Sequence, residues 1–207
     1  MTLRIKAAAG SLALLLSLAA CGSGNDLSKK SPSEILNDAR TSADSASSVH
    51  VTGSVTQDGS KSVVDILLTN SGDGKDELTS DGHTISIIKS GNTIYAKGIP
   101  GSTGPGYQKL EANDPRVSQL SQALDKKTFL QQILSTNKEF TLAGKGKVGE
   151  QDTLKLTEKS GQSTLHVADN AGKPYPMQIE GNGPVTVSIV FSGWDEDAHI
   201  AAPQVGS

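Results

Sequence analysis

A chain of 207 residues with 22 acidic against 19 basic side chains carries a formal net charge of −3, and it holds one cysteine. That balance argues against a nucleic-acid partner and against electrostatic capture by anionic lipid heads. A lone cysteine excludes an internal disulfide and a Cys-x-x-Cys metal site.

At the N-terminus, Arg4 and Lys6 precede a 14-residue apolar stretch, Ala7 to Ala20. About 20 apolar residues are needed to span a hydrocarbon core, so this stretch is too short. It has the length of a secretory h-region and ends on the small residues Ala19 and Ala20. "LAAC", residues 18 to 21, has the pattern of a bacterial lipobox. Residues 1–20 are expected to form a lipoprotein signal peptide, cut before Cys21. The Cys21 thiol would take a diacylglyceryl group, as the most nucleophilic side chain near neutral pH. Two or more acyl chains anchor stably where one does not. The expected location is the outer face of the cytoplasmic membrane, extracytoplasmic and held there by lipid. Residues 21–32, rich in Gly, Ser, Asn and Lys, read as a flexible lipidated tether, and residues 33–207 as a single domain.

Ser31 suits an N-cap, Pro32 the first helical position, and Glu34 completes a capping box. Ile35, Leu36, Ala39, Ala43 and Ala46 share a helical face, which predicts an amphipathic helix from about Ser31 to Ser47. From Val49 the period becomes two. Val49, Val51 and Val55 share a strand face, as do Val64, Ile66 and Leu68. Ile85 and Ile87 lead into a turn at Ser90-Gly91-Asn92, and Ile94 and Ala96 lead out of it. "GIPGSTGPGYQK" reads as a loop. Asp114 and Pro115 open a helical pattern with Val117, Leu120 and Leu124 on one face, and Phe129, Leu130, Ile133 and Leu134 mark a second. Both helices are expected between about Pro115 and Thr136, on the same sheet face as the first. "EFTLAGKGKV", "DTLKLTEK", "STLHVADN", "YPMQIEG" and "VTVSIVFSGW" then read as five strands, with Val185, Val187, Ile189 and Phe191 sharing a face in the last. Helix, four or five strands, two helices and five strands make an antiparallel sheet with helices on its apolar face, an α+β arrangement.

The lipobox, the early helix running into "SSVHVTGSV", the "GNTIYAKG" hairpin arm, the central helices and the final "FSGWDEDAHIAAP" resemble the actinobacterial LppX–LprA–LprF–LprG lipoprotein family. The resemblance covers nearly all of the chain after Cys21. It implies a strongly curved antiparallel sheet, a half-barrel, with helices packed on its concave face, as in carriers of the LolA and LolB type. It implies an apolar cavity between sheet and helices that binds acylated lipid or glycolipid and carries it within the envelope. A monomer with an envelope transporter as candidate partner, and no cofactor, go with that picture. One departure is "DEDAH" after Trp194, where members carry Gly or Asn and then a Pro-Val pair, so a lipid-head contact there does not carry over.

The expected lipid-contacting residues are Val51, Val55, Ile66, Leu68, Ile85, Ile87, Ile94, Val187 and Ile189 on the strands. Leu120, Leu124, Phe129, Ile133 and Leu134 face them from the helices. A wall that holds lipid should be almost free of charge. Aromatic residues are only 3% of the chain, and medium aliphatic side chains leave space that rings would fill. The residues alone leave a filled aliphatic core equally open.

"GKGKVG", residues 144 to 149, matches GxGxxG, but a strand pattern follows it, so it reads as a Gly-rich turn and not a dinucleotide fingerprint. The four histidines lack metal-site spacing, and no GxSxG elbow is present, so catalysis is not expected. "WDED", residues 194 to 197, reads as a solvated turn or a cation-attracting one. Tyr175 to Met177 suit either the mouth of a lipid site or ordinary packing at a strand start. The alternative function is a non-catalytic envelope lipoprotein of signalling or assembly. It would act through protein–protein contacts at its sheet edges or its "DED" turn.

Overall fold

The computed structural model describes residues 26–102, 104–111, 113–134, 138–170 and 172–206. The expected signal peptide, the expected lipidation site Cys21 and the expected helix end at Thr136 lie outside the described residues. Helix α1 (Pro32–Ser45) starts as its capping residues dictate. The Glu34 N–H donates to Ser31 Oγ at 3.3 Å, and the Ser31 N–H donates to Glu34 Oε2 at 2.8 Å. Its buried face is Ile35, Leu36, Ala39 and Ala43. The fold starts earlier than the expected tether boundary. Leu27, in a 3-10 turn (Leu27–Lys29), is 1% exposed within the core, because an apolar side chain this close to α1 gains by burial.

The strands before the next helices are β1 (Ser48–Gln57), β2 (Ser60–Thr69), β3 (Gly74–Ser80), β4 (His83–Ser90), β5 (Thr93–Lys97) and β6 (Gln108–Glu111). Helices α2 (Ser118–Ala123) and α3 (Lys126–Leu134) follow. The chain ends in β7 (Phe140–Val148), β8 (Gln151–Glu158), β9 (Ser163–Ala168), β10 (Pro176–Asn182) and β11 (Val185–Ser192). All eleven strands form one curved, open, antiparallel sheet in the order β6-β5-β4-β3-β2-β1-β11-β10-β9-β8-β7. Two meanders therefore meet at the β1–β11 pair. Strands β6 and β7 follow each other in the chain but lie on opposite edges. The connection between them has to cross the sheet, and α2 and α3 are that crossing.

Three details differ from the sequence reading. β3, "GKDELTS", is a strand without an apolar alternation, because Gly74 and Asp76 take inward positions. β6 is a four-residue edge strand at the end of the expected loop. α2 begins at Ser118 and not at Pro115. Asp114 accepts the Arg116 N–H at 3.0 Å and pairs its guanidinium at 2.7 Å, which holds a turn before the helix.

The helices lock together through their C-terminal carbonyls. Lys126, 3% exposed, donates from Nζ to Ala43 O at 2.9 Å and Asp44 O at 3.2 Å, in the last turn of α1. Arg40 of α1 donates from Nε to Leu134 O at 2.9 Å, the end of α3. Cations at helix C-termini satisfy orphan carbonyls and complement the dipole. Two glycines set the shape beneath. A Cβ at Gly74 would lie 2.9 Å from Leu124 Cβ, so the bare backbone lets the end of α2 rest on β3. A Cβ at Gly53 would lie 2.2 Å from Ser188 O, so only glycine allows β1 and β11 to approach so closely at the seam of the two meanders.

Candidate functional site

Cross-strand pairing places one aliphatic row across nine strands of the inner face. From β7 to β4 it runs Leu142, Leu156, Leu165, Ile179, Ile189, Gly53, Val64, Leu78 and Ile85. Directly paired residues project to the same side of a sheet, so these side chains share one surface. α1 packs on one side of it and α2 on the other, where α2 meets β4 and its end rests on Gly74 of β3. α1 lies over β7, β9 and β10; along this side Leu156 and Leu165 are 0% and 4% exposed, while Leu142 and Ile179 are half-buried. On β2 to β4, Val64, Leu78 and Ile85 are half-buried, and so are Val55 and Val187 one pleat further out.

One pleat in the other direction, Phe191, Val51, Ile66, Asp76, Ile87 and Ala96 form a parallel row, all buried. The sequence-expected wall residues thus divide. Val51, Ile66, Leu68, Ile87, Ile94, Ile189, Leu124, Phe129 and Leu134 are sealed in the core. Val55, Ile85, Val187, Leu120 and Ile133 are half-buried. Sequence reasoning missed Leu142, Leu156, Leu165, Ile179 and Leu78 for this row, and it did not assign Val64 to it although Val64 alternates with Ile66. The available signal for Ile179 was its alternation with Met177 in "YPMQIEG".

The inner face carries a carboxyl at Asp76. Its partners across the sheet are Ile66 and Ile87. It is 5% exposed, and its Oδ1 has no hydrogen-bond partner among the described residues. Burial pushes its carboxyl up to about 6, and the charges of Asp65 and Glu77 push the same way. Lys89 also lies on the inner face, paired with Gly74. Its charge helps to lower Asp125, whose main stabiliser is the Thr128 N–H at 2.8 Å.

The "DED" turn is built into the fold through its first acid. Asp195, at φ 62°, accepts the Ser47 N–H at 2.8 Å and the Tyr175 hydroxyl at 2.6 Å, and it pairs with Lys173. Lys173, then Tyr175 and Ser47, hold its carboxyl well below the usual range. Tyr175 stacks on Trp194 at 4.7 Å, and Trp194 Nε1 donates to Pro176 O at 3.1 Å. Both aromatics therefore fasten the end of β11 to the α1–β1 junction and the start of β10. Residues 144 to 149 form a bulged strand and a hairpin turn, with Gly144 at φ 104° and Gly149 at φ 57°. A cleft of about 460 Å³ between α1 and α3 is lined by Arg40, Asp44, Leu130, Gln131 and Leu134, helix residues away from the strand row.

No protein-family model matches the chain, and no curated protein matches it in sequence. Two mycobacterial structures share its fold. LprF from Mycobacterium bovis superposes with a TM-score of 0.59 at 16% identity, covering 84% of this chain and 97% of that one. The Mycobacterium tuberculosis lipoprotein LppX gives 0.56 at 16% identity, covering 82% and 98%. The resemblance read from the sequence therefore holds at the level of the fold, an open curved antiparallel sheet with few helices.

Proposed function

We propose that this chain is a non-catalytic, lipid-anchored envelope protein that binds acylated lipid or glycolipid against the concave face of its sheet and carries it within the envelope. The observation behind this reading is a partly covered stretch of the inner face, where Val64, Leu78, Ile85, Val55 and Val187 form a half-buried aliphatic surface. An apolar surface that its own fold leaves partly uncovered is a place for an apolar ligand to add contacts. Acyl chains suit this one. They ask for no hydrogen bonds, and they follow a curved aliphatic wall. The shared fold with a mycobacterial lipoprotein supports an envelope setting. In this reading Cys21 carries the anchor on the outer face of the cytoplasmic membrane, the domain acts as a monomer, and an envelope transporter delivers or receives the lipid.

Native mass spectrometry of protein purified from its own membrane tests both parts. The expected spectrum has covalent acyl groups on Cys21 and a further non-covalent lipid mass. Protein that carries no non-covalent lipid overturns the carrier reading. Cys21→Ser is expected to leave the membrane fraction or to remain uncleaved. Wild-type protein that incorporates no labelled fatty acid overturns the anchor.

A further inference from the structure

Asp76 is out of keeping with everything around it. On the inner face its neighbours across the strands are Ile66 and Ile87, and the next inward residue along β3 is the half-buried Leu78 of the aliphatic row. The carboxyl thus sits one pleat behind the half-buried aliphatic surface of Val64, Leu78 and Ile85. It is 5% exposed, with Oδ1 unpartnered among the described residues. A buried acceptor without a donor costs stability, and an aliphatic residue of similar size would remove that cost. The charges that act on it are like charges, Asp65 and Glu77. Among the described residues none supplies a donor to Oδ1, which leaves that oxygen open to a donor from a ligand.

We infer that Asp76 is the polar contact of the lipid site and that the bound lipid carries a hydroxyl beside its acyl chains. This rests on the lipid-binding reading above and names the ligand class within it. Acyl chains lie along Val64, Leu78 and Ile85, and a hydroxyl one pleat deeper donates to Oδ1. A lipid whose oxygens are all esterified has no proton to give and leaves Oδ1 as it is. Charge-assisted hydrogen bonds in a dry site are about twice as strong as neutral ones, so the contact discriminates between the two kinds of lipid.

The test compares 1,2-dipalmitoylglycerol with its 3-acetyl derivative on delipidated protein, each displacing a bound fluorescent fatty acid. Wild type is expected to prefer the free hydroxyl by about tenfold, the scale of one hydrogen bond to a charged group. Asp76→Leu is expected to bind both lipids equally and to melt at a higher temperature. Asp76→Asn, which keeps the side-chain shape, is expected to retain a reduced preference through its amide oxygen, and it stands in should the leucine variant fail to fold. Equal binding of the two lipids by wild type overturns the inference and leaves the carrier reading standing. So does a full preference that survives in Asp76→Leu, or in Asp76→Asn where that variant stands in. Wild type that binds neither lipid overturns both.

Discussion

The aliphatic row of the inner face is sealed at its middle and half-buried toward β2 to β4. Leu156 and Leu165 lie sealed on the side where α1 packs, whereas Val64, Leu78 and Ile85 remain half-buried on β2 to β4. The residue types are the same on both halves. Strand alternation decides which side chains face inward, and the helices decide what those side chains meet. The wall is aliphatic throughout, and burial along it varies with how closely α1 and α2 seat on each strand.

The largest expected effect tests that variation directly. Leu156→Ala removes a side chain with no exposure and is expected to cost about 2–5 kcal/mol. Ile85→Ala in the half-buried stretch is expected to cost about 1 kcal/mol or less, because its site already admits solvent. Urea denaturation of the two variants is the measurement. Equal losses would mean that the two halves are one continuous core.

The inward face was legible in the sequence because period two survives in β1, β2, β4 and β8 to β11. β3 was not, because Asp76 stands at an inward position between Lys75 and Glu77, and a polar run of that kind reads as a turn. The same residue that hides the strand is the unusual one in the site. The cover was legible only in outline. Apolar spacing in α1, α2 and α3 requires each helix to lie on something, but β6 and β7 occupying opposite edges is a property of long-range pairing that no local pattern carries. The Asp195 contacts were equally hidden, since Ser47, Lys173 and Tyr175 are distant in sequence from the turn they hold.

The second effect is pH-dependent and sets the half-buried stretch apart chemically. Asp76 has its carboxyl raised from 3.8 to about 6 in the folded chain. Below the unfolded value both states are protonated, and the group contributes nothing. Between the two values the folded state holds the proton and the unfolded state does not, so stability falls as pH rises. Above the folded value the loss is complete, about 3 kcal/mol for a shift of this size. Glu158 acts in the opposite direction, its carboxyl lowered to about 2 by Lys138 first and then by Ser163 and Ser160. Its contribution is present above its unfolded value and is lost in acid. The difference between wild type and Asp76→Asn isolates the Asp76 part. Denaturation midpoints of the two proteins are expected to diverge as pH rises from 4 to 6 and to run parallel above it. Parallel curves throughout would mean that Asp76 is solvated.

A third effect acts at the seam. Gly53→Ala places a methyl against Ser188 O and Ile189 Cα, both backbone atoms that cannot swing aside. The expected cost is about 1–3 kcal/mol, as for overpacking in a core. The pairing of β1 with β11 should loosen, with faster amide exchange at Gly53 and Ile189 than in wild type. Unchanged exchange there would show that the sheet halves are not held together by this close approach.

The smallest effect on stability sharpens the comparison most. A bulky ring can be asked to do on the half-buried stretch what α1 does over Leu156 and Leu165, namely to complete the cover of the row. Val51 is the wrong position for it. Val51 is fully buried between Phe191 and Ile66, and tryptophan there should destabilise by about 1–3 kcal/mol whether or not lipid binds elsewhere. Val64 is the right one. It is half-buried, so a larger side chain there can extend toward solvent along the row and away from the Gly53 seam, which the β11 backbone fills. Val64→Trp is expected to shift stability by about 0.5 kcal/mol or less. Lipid copurified per protein should fall sharply all the same, since the ring fills the path of an acyl chain along Val64, Leu78 and Ile85. Thermal midpoint and lipid load are read on the same preparation. A full lipid load with a seated indole would place the lipid off this row, and a large loss of midpoint would mean that the half-buried stretch is as tightly packed as the row at Leu156 and Leu165.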